Sequence, residues 1–145
     1  MRWVVGFIVT LITVVGVVAL IGFFLPVDHQ ASRSAEFTKP PEAVWALIAD
    51  PKTYGEWWSG ADVKTEVVES FPPSRLVTKI VGETAFGGTW TFETAPTSTG
   101  SRLTITERGE VYNVIFRTLS RFVFGYTGTM DSCLSALSKK LETAN

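Results

Sequence analysis

Residues 34–58, SAEFTKPPEAVWALIADPKTYGEWW, change the backbone period twice within a short span. Alternation around Ala35 and Phe37 predicts a strand from Ser34 to Thr38. Lys39-Pro40-Pro41 stops it, because Pro40 cannot extend a sheet. Pro41 suits the first turn of a helix, and Glu42 is favourable at the positive end of its dipole. The predicted helix, Glu42–Ala49, gathers Val44, Leu47 and Ile48 on one side with Trp45 beside them. Asp50-Pro51 breaks it. A second short helix or turn, Lys52–Trp58, carries Tyr54, Trp57 and Trp58 and ends at Gly60.

Downstream the pattern becomes that of strands. Val63–Val68 is one, Phe71-Pro72-Pro73 a turn, and Arg75–Val81 the next. Gly87-Gly88 opens a third, Thr89–Glu93, with clean alternation. A Pro, Ser, Thr and Gly loop over 95–100 leads to a fourth, Arg102–Val111. It has Leu103, Ile105, Glu107 and Val111 on one face and Thr104, Thr106, Arg108 and Glu110 on the other. Short turns join these runs, so an antiparallel meander is expected. Asn113 can cap a short aromatic helix, Val114–Phe124, interrupted by Gly125 and Gly128. The last helix spaces Met130, Leu134, Leu137 and Leu141 as one apolar stripe, with Cys133 beside it as a small core residue.

Upstream, Trp3–Leu25 is WVVGFIVTLITVVGVVALIGFFL, about 23 residues without a charge, where about 20 suffice to cross a bilayer. A cleaved secretory signal is the alternative. The stretch exceeds the usual apolar length of such signals, and no A-x-A site follows. Thr10 and Thr13 can return their hydroxyls to the helix backbone, and no G-x-x-x-G marks a dimer face. The expected organisation is a single-pass anchor at 1–26, a polar linker at 27–33 and a domain at 34–145. Arg2 precedes the span while Arg33 and Lys39 follow it, a nearly balanced count. A short basic N-terminus ahead of a first span usually stays in the cytoplasm, which would put the domain on the far side.

The mean hydropathy of +0.22 is raised by that span; the remainder is sufficient for one core. Thirteen lysines and arginines against 14 acidic residues create no field that would favour nucleic acid. A single cysteine excludes an internal disulfide and a cysteine-based zinc site.

Three stretches carry a resemblance to a known family: SRSAEFTKPPEAVWALIADPKTYGEWW from Ser32, FGGTWTFETAPTSTGSRLTITERGEVYN from Phe86, and IFRTLSRFVFGYTGTMDSCLSAL from Ile115. The chain resembles the START-like, helix-grip superfamily, SRPBCC, and within it the polyketide cyclase/dehydrase-like group, including membrane-anchored members. The resemblance implies an α+β fold, a curved antiparallel sheet gripping the C-terminal helix around an apolar cavity. It implies a hydrophobic ligand such as a lipid, isoprenoid or polyketide. Carried onto this chain, the cavity walls would be Trp90, Phe92, Leu103 and Ile105 from the sheet, with Met130, Leu134 and Leu137 from the helix. Glu107 would be the one charged group. The stretch between Trp58 and Arg75 is short for the family, so about five strands are expected and a smaller or open cavity.

Each of these residues also has a plain structural reading. Trp90 and Phe92 at alternating positions are core residues whether or not they also touch a ligand. Glu107 reads as lying on a solvent-facing sheet surface, as paired with Arg75 or Lys79, or as a pocket acid/base; buried, it would need such a partner, since an unpaired charge in an apolar site costs several kcal/mol. Trp57 and Trp58 can seat the second helix, border the pocket mouth or lie at a lipid surface. Arg117 and Arg121 can solvate a helix face or meet lipid phosphates. The only histidine, His29, falls in the expected linker, too early to serve a pocket. That leaves no Ser-His-Asp or Cys-His arrangement and no histidine metal site, and no cofactor is expected. The reading is a membrane-anchored binding module for a hydrophobic small molecule. The alternatives are a cyclase or dehydratase-like enzyme using Glu107, and a partner-binding domain with a filled cavity.

Overall fold

A computed structural model describes residues 1–144. Helix α1, Arg2–Phe24, is followed by strand β1, Asp28–Phe37, and helix α2, Pro41–Ile48. A 3-10 turn, Pro51–Glu56, leads to four strands: β2 Thr65–Phe71, β3 Arg75–Ile80, β4 Phe86–Pro96 and β5 Ser101–Val111. Helix α3, Val114–Leu119, continues as a π-helical turn, Ser120–Phe124, and α4, Gly128–Thr143, closes the chain.

Local chemistry accounts for the boundaries. Pro41 occupies the start of α2 with Glu42 in its first turn. Asp50 accepts from the Lys52 amide at 3.0 Å, and Asn113 Oδ1 accepts from the amides of Ile115 and Phe116 at 3.0 and 3.1 Å. These satisfy donors that helix starts otherwise leave orphaned. In α1, Thr10 and Thr13 donate to Gly6 O and Val9 O, both at 2.9 Å. Helix α1 is long and apolar enough to cross a membrane, and of its side only Gly22 is buried.

The five strands form one antiparallel sheet in the order β1-β5-β4-β3-β2. The fold is thus the α+β helix grip expected, with the sheet reduced to five strands. The expected linker is not one. Residues 28–33 belong to β1, which pairs with β5 from Asp28 opposite Glu110 to Phe37 opposite Ser101. Only Leu25 to Val27 separate α1 from the sheet, and the Val111 amide donates to Val27 O at 2.8 Å. Polar side chains hid this strand because β1 is an edge whose outer face is wet, with Ser32 and Ser34 bonded to Thr106 and Thr104.

The core occupies one end of the concave face. Leu76, Phe92, Leu103 and Ile105 meet Val44 and Ile48 of α2 and Met130, Cys133, Leu134, Leu137 and Leu141 of α4. Burial holds two protons there. It pushes the Cys133 thiol up to about 12, and raises the Tyr54 hydroxyl, which donates to Ile48 O at 2.7 Å. The unfolded chain releases both protons near the ordinary values of 9.0 and 10.0. Above those values the folded state binds more protons than the unfolded one, so stability falls with rising pH. The slope is at most about 1.4 kcal/mol per pH unit for each group. The denaturation midpoint is expected to drop from about pH 9 upward, less steeply in Cys133→Ala; a flat midpoint would contradict the burial.

Candidate functional site

The concave face is filled by helices at one end and open at the other, and the strand registers explain where the change falls. Phe92 stands between Leu76 and Ile105 in the filled end. Two residues along, Trp90 stands between Thr78 and Glu107, and Glu107 is opposite Ala31. One further step brings His29 opposite Gly109. Because side chains two apart on a strand share a face, His29, Glu107, Trp90 and Phe92 project to the same side.

Over this row lies a cavity of about 530 Å³. Its floor is Thr78, Ile80, Phe86, Trp90, Phe92, Glu107, Val111 and His29; Tyr54, Trp58 and Ala61 wall one side, and Phe116, Ser120, Phe124 and Tyr126 the other. The aromatic walls are interlocked. Trp58 stacks on Trp90 with ring centres 5.9 Å apart, and its indole N–H donates to Ser132 of α4 at 3.0 Å. Trp58 therefore both seats the 3-10 turn and borders the cavity, while Trp57 packs edge-on against Tyr54 at 5.3 Å.

The polar end of the cavity is compact. His29 Nε2 lies 2.7 Å from Glu107 Oε1, and the Trp90 indole N–H donates to Glu107 Oε2. Tyr126 stacks on the imidazole with centroids 3.8 Å apart. The two partner side chains are only 12% and 18% exposed, so the pair is held in a largely dry setting. His29 Nδ1 is buried with no partner among the described residues. Gly109 makes the arrangement possible, because a Cβ there would run into the imidazole and the Glu107 carboxylate.

The predicted wall residues divide into two groups. Trp90, Phe92 and Glu107 line the cavity. Leu103, Ile105, Met130, Leu134 and Leu137 do not; they are buried in the filled end under α2 and α4. Glu107 pairs with neither Arg75 nor Lys79. Arg75 is taken by Glu69 and Glu93, at 2.7 and 2.9 Å on the outer side. His29, expected to lie too early, is brought to the pocket by the strand that replaced the linker. Tyr126 is a second residue that sequence reasoning missed. The signal for His29 was the odd-numbered series His29, Ala31, Arg33, Ala35, Phe37, which continues the strand's inward face toward the N-terminus.

Arg117 also differs from expectation. It is 7% exposed and donates to four backbone carbonyls: Val111 O and Gly22 O at 2.9 Å, Tyr112 O at 3.1 Å and Leu25 O at 3.2 Å. Arg121 remains exposed. Chemically, the site offers an apolar volume closed at one end by a hydrogen-bonded imidazole and carboxyl. It can bind a molecule with an apolar body and one polar group, or move a proton on such a molecule. Among the described residues no three His, Cys, Asp or Glu side chains gather as metal ligands.

No family model matches the chain, and no curated protein matches it in sequence. Solved structures do resemble it. A START superfamily protein from Mycobacterium smegmatis superposes with a TM-score of 0.62 at 14% identity, covering 81% of this chain and 99% of that one. The di-domain ARO/CYC StfQ of the steffimycin biosynthetic pathway gives 0.63 at 11% identity, over 81% of this chain and 52% of that chain. A protein from Mesorhizobium loti gives 0.61 at 17% identity, over 81% and 99%. At these identities the likeness establishes the START-like fold.

Proposed function

We propose that the chain is a membrane-anchored module that binds a hydrophobic small molecule, of lipid, isoprenoid or polyketide-like type, between the open end of the sheet and the segment after β5. The observation that carries this reading is the cavity of about 530 Å³ walled by Trp58, Trp90, Phe92, Phe86 and Phe124. A volume of that order suits one small ligand, and removing apolar ligand surface from water is worth about 25 cal/mol per Å². The START-like and ARO/CYC character of the similar structures supports the same class of ligand.

The anchor is residues 1–26, and the domain it carries begins with β1. Retention of α1 is supported by Arg117, whose guanidinium uses the carbonyls of Gly22 and Leu25. Cleavage would take away two acceptors of a buried charge.

Native mass spectrometry after purification in mild detergent tests the reading. A stoichiometric hydrophobic species is expected on the wild type, and loss of it in Trp90→Ala. A protein that carries nothing, and takes up no added phospholipid, isoprenoid or aromatic polyketide, would overturn it.

The His29–Glu107 pair in the cavity wall favours a second reading, an enzyme of cyclase or dehydratase type acting on the bound molecule. The pair would take a proton from a carbon beside a carbonyl and return one to a departing hydroxyl, which leaves as water. Glu107→Gln is then expected to abolish conversion of the bound species while it still binds. Unchanged turnover in that variant would remove the carboxyl from any catalytic role.

A further inference from the structure

The segment that closes the cavity is also the one fastened to α1, and the fastening sets its depth. Helix α3 runs antiparallel to the last turns of α1. Val114 lies against Gly22, where a Cβ would overlap the Val114 carbonyl. One turn on, the Thr118 hydroxyl donates to Val18 O at 2.8 Å. Four residues backward along α1 thus match four residues forward along α3. With a rise of about 1.5 Å per residue, Val18 lies about 9 Å along the axis from Phe24.

Beyond Thr118 the π-helical turn carries three large apolar side chains in succession. Phe122, Val123 and Phe124 are 67%, 67% and 69% exposed. Phe116, Ser120 and Phe124 of the same stretch edge the cavity.

We propose that residues 114–124 form a lip immersed in the leaflet at the C-terminal end of α1, so that the cavity mouth opens among lipid chains. The occupant of the exposed Phe122–Phe124 face is the acyl region of the bilayer. The ground for this choice is continuity: the segment is bonded to α1 along Val18 and Gly22, and away from that contact α1 exposes Leu20, Ile21, Phe23 and Phe24 at the same level. About 9 Å from the end of α1, Thr118 lies within the roughly 30 Å hydrocarbon core that α1 would cross. The two arginines fit that position. The Arg117 guanidinium has its donors satisfied by four carbonyls, and exposed Arg121 has the length to snorkel to phosphates. A ligand would then pass from bilayer to cavity without crossing water.

This inference rests on α1 crossing the membrane, as proposed above, and needs no ligand for its test. The full chain, reconstituted in phosphatidylcholine and phosphatidylglycerol vesicles, is labelled with an environment-sensitive fluorophore in Val123→Cys, Val9→Cys or Thr99→Cys. Cys133 is buried and stays unlabelled. Acyl-chain nitroxide lipid is expected to quench the labels at 9 and 123 several-fold more than the label at 99, and a water-soluble nickel chelate to do the reverse. If 9 is in lipid while 123 behaves like 99, the lip is wrong and the anchor stands. If 9 behaves like 99, the anchor fails and the lip with it. Energy transfer between position-123 labels on separate chains, without lipid quenching, would identify a second copy as the occupant and overturn the proposal.

Discussion

Arg117→Met is expected to destabilise the protein by about 3–5 kcal/mol, the largest effect of any substitution outside the apolar core. The guanidinium is buried, yet among the described residues no carboxylate forms an ion pair with it. Its charge is held by four carbonyls drawn from two separate parts of the chain: Val111 and Tyr112 at the end of β5, Gly22 and Leu25 at the end of α1. Carbonyls in the last turn of a helix have no intrahelical donor, and they form the negative end of its dipole. Arg117 therefore works as a C-terminal cap supplied from elsewhere in the sequence. Methionine fills similar volume but leaves the acceptors unmatched. Lysine keeps the charge on a single nitrogen that cannot reach in four directions, so Arg117→Lys should fall between the two. Denaturant titration in mild detergent, followed by fluorescence of the Trp58–Trp90 stack, gives the comparison. A methionine variant within about 1 kcal/mol of wild type would mean that the four bonds contribute little beyond what water supplies.

The same residue marks what could be read in advance and what could not. The apolar span, the α2 start at Pro41, the strand meander and the α4 stripe each arise from neighbours a few positions apart, and all are present in the fold. Arg117 looked like one of two arginines solvating a helix face. Its actual partners lie more than 90 positions away, and no local pattern encodes such a pairing. Only Gly22 was a trace of it, a residue without a side chain where α3 comes closest. His29 has the same history. Its polar flanks suggested a linker, whereas an edge strand needs inward residues on one face only. Once β1 is extended to Asp28, its register against β5 carries His29 to Glu107 with no further assumption. The five misplaced wall residues fail for another reason. Alternation identifies the inward face of a strand, but it does not say which end of that face the helices cover.

That distinction yields the second large expected effect. Leu137→Ala should cost about 2–5 kcal/mol and leave ligand binding by the folded protein unchanged. Leu137 is fully buried within the cluster of Val44, Ile48, Leu103, Ile105 and Met130, and it does not line the cavity described above. Truncation there forfeits the transfer energy of the removed carbons and opens a void that packed neighbours fill only in part. Trp90→Phe works the other way. It keeps most of the ring against Trp58 and Phe92 but removes the indole N–H that Glu107 accepts. Its cost to folding should be smaller and its effect on the bound species larger. Measuring ligand stoichiometry by native mass spectrometry beside the denaturation midpoint separates the two behaviours. If Leu137→Ala lost its ligand while remaining folded, the filled and open ends of the sheet would be one continuous cavity. If it lost neither stability nor ligand, the packing of α4 against the sheet would be looser than its burial implies.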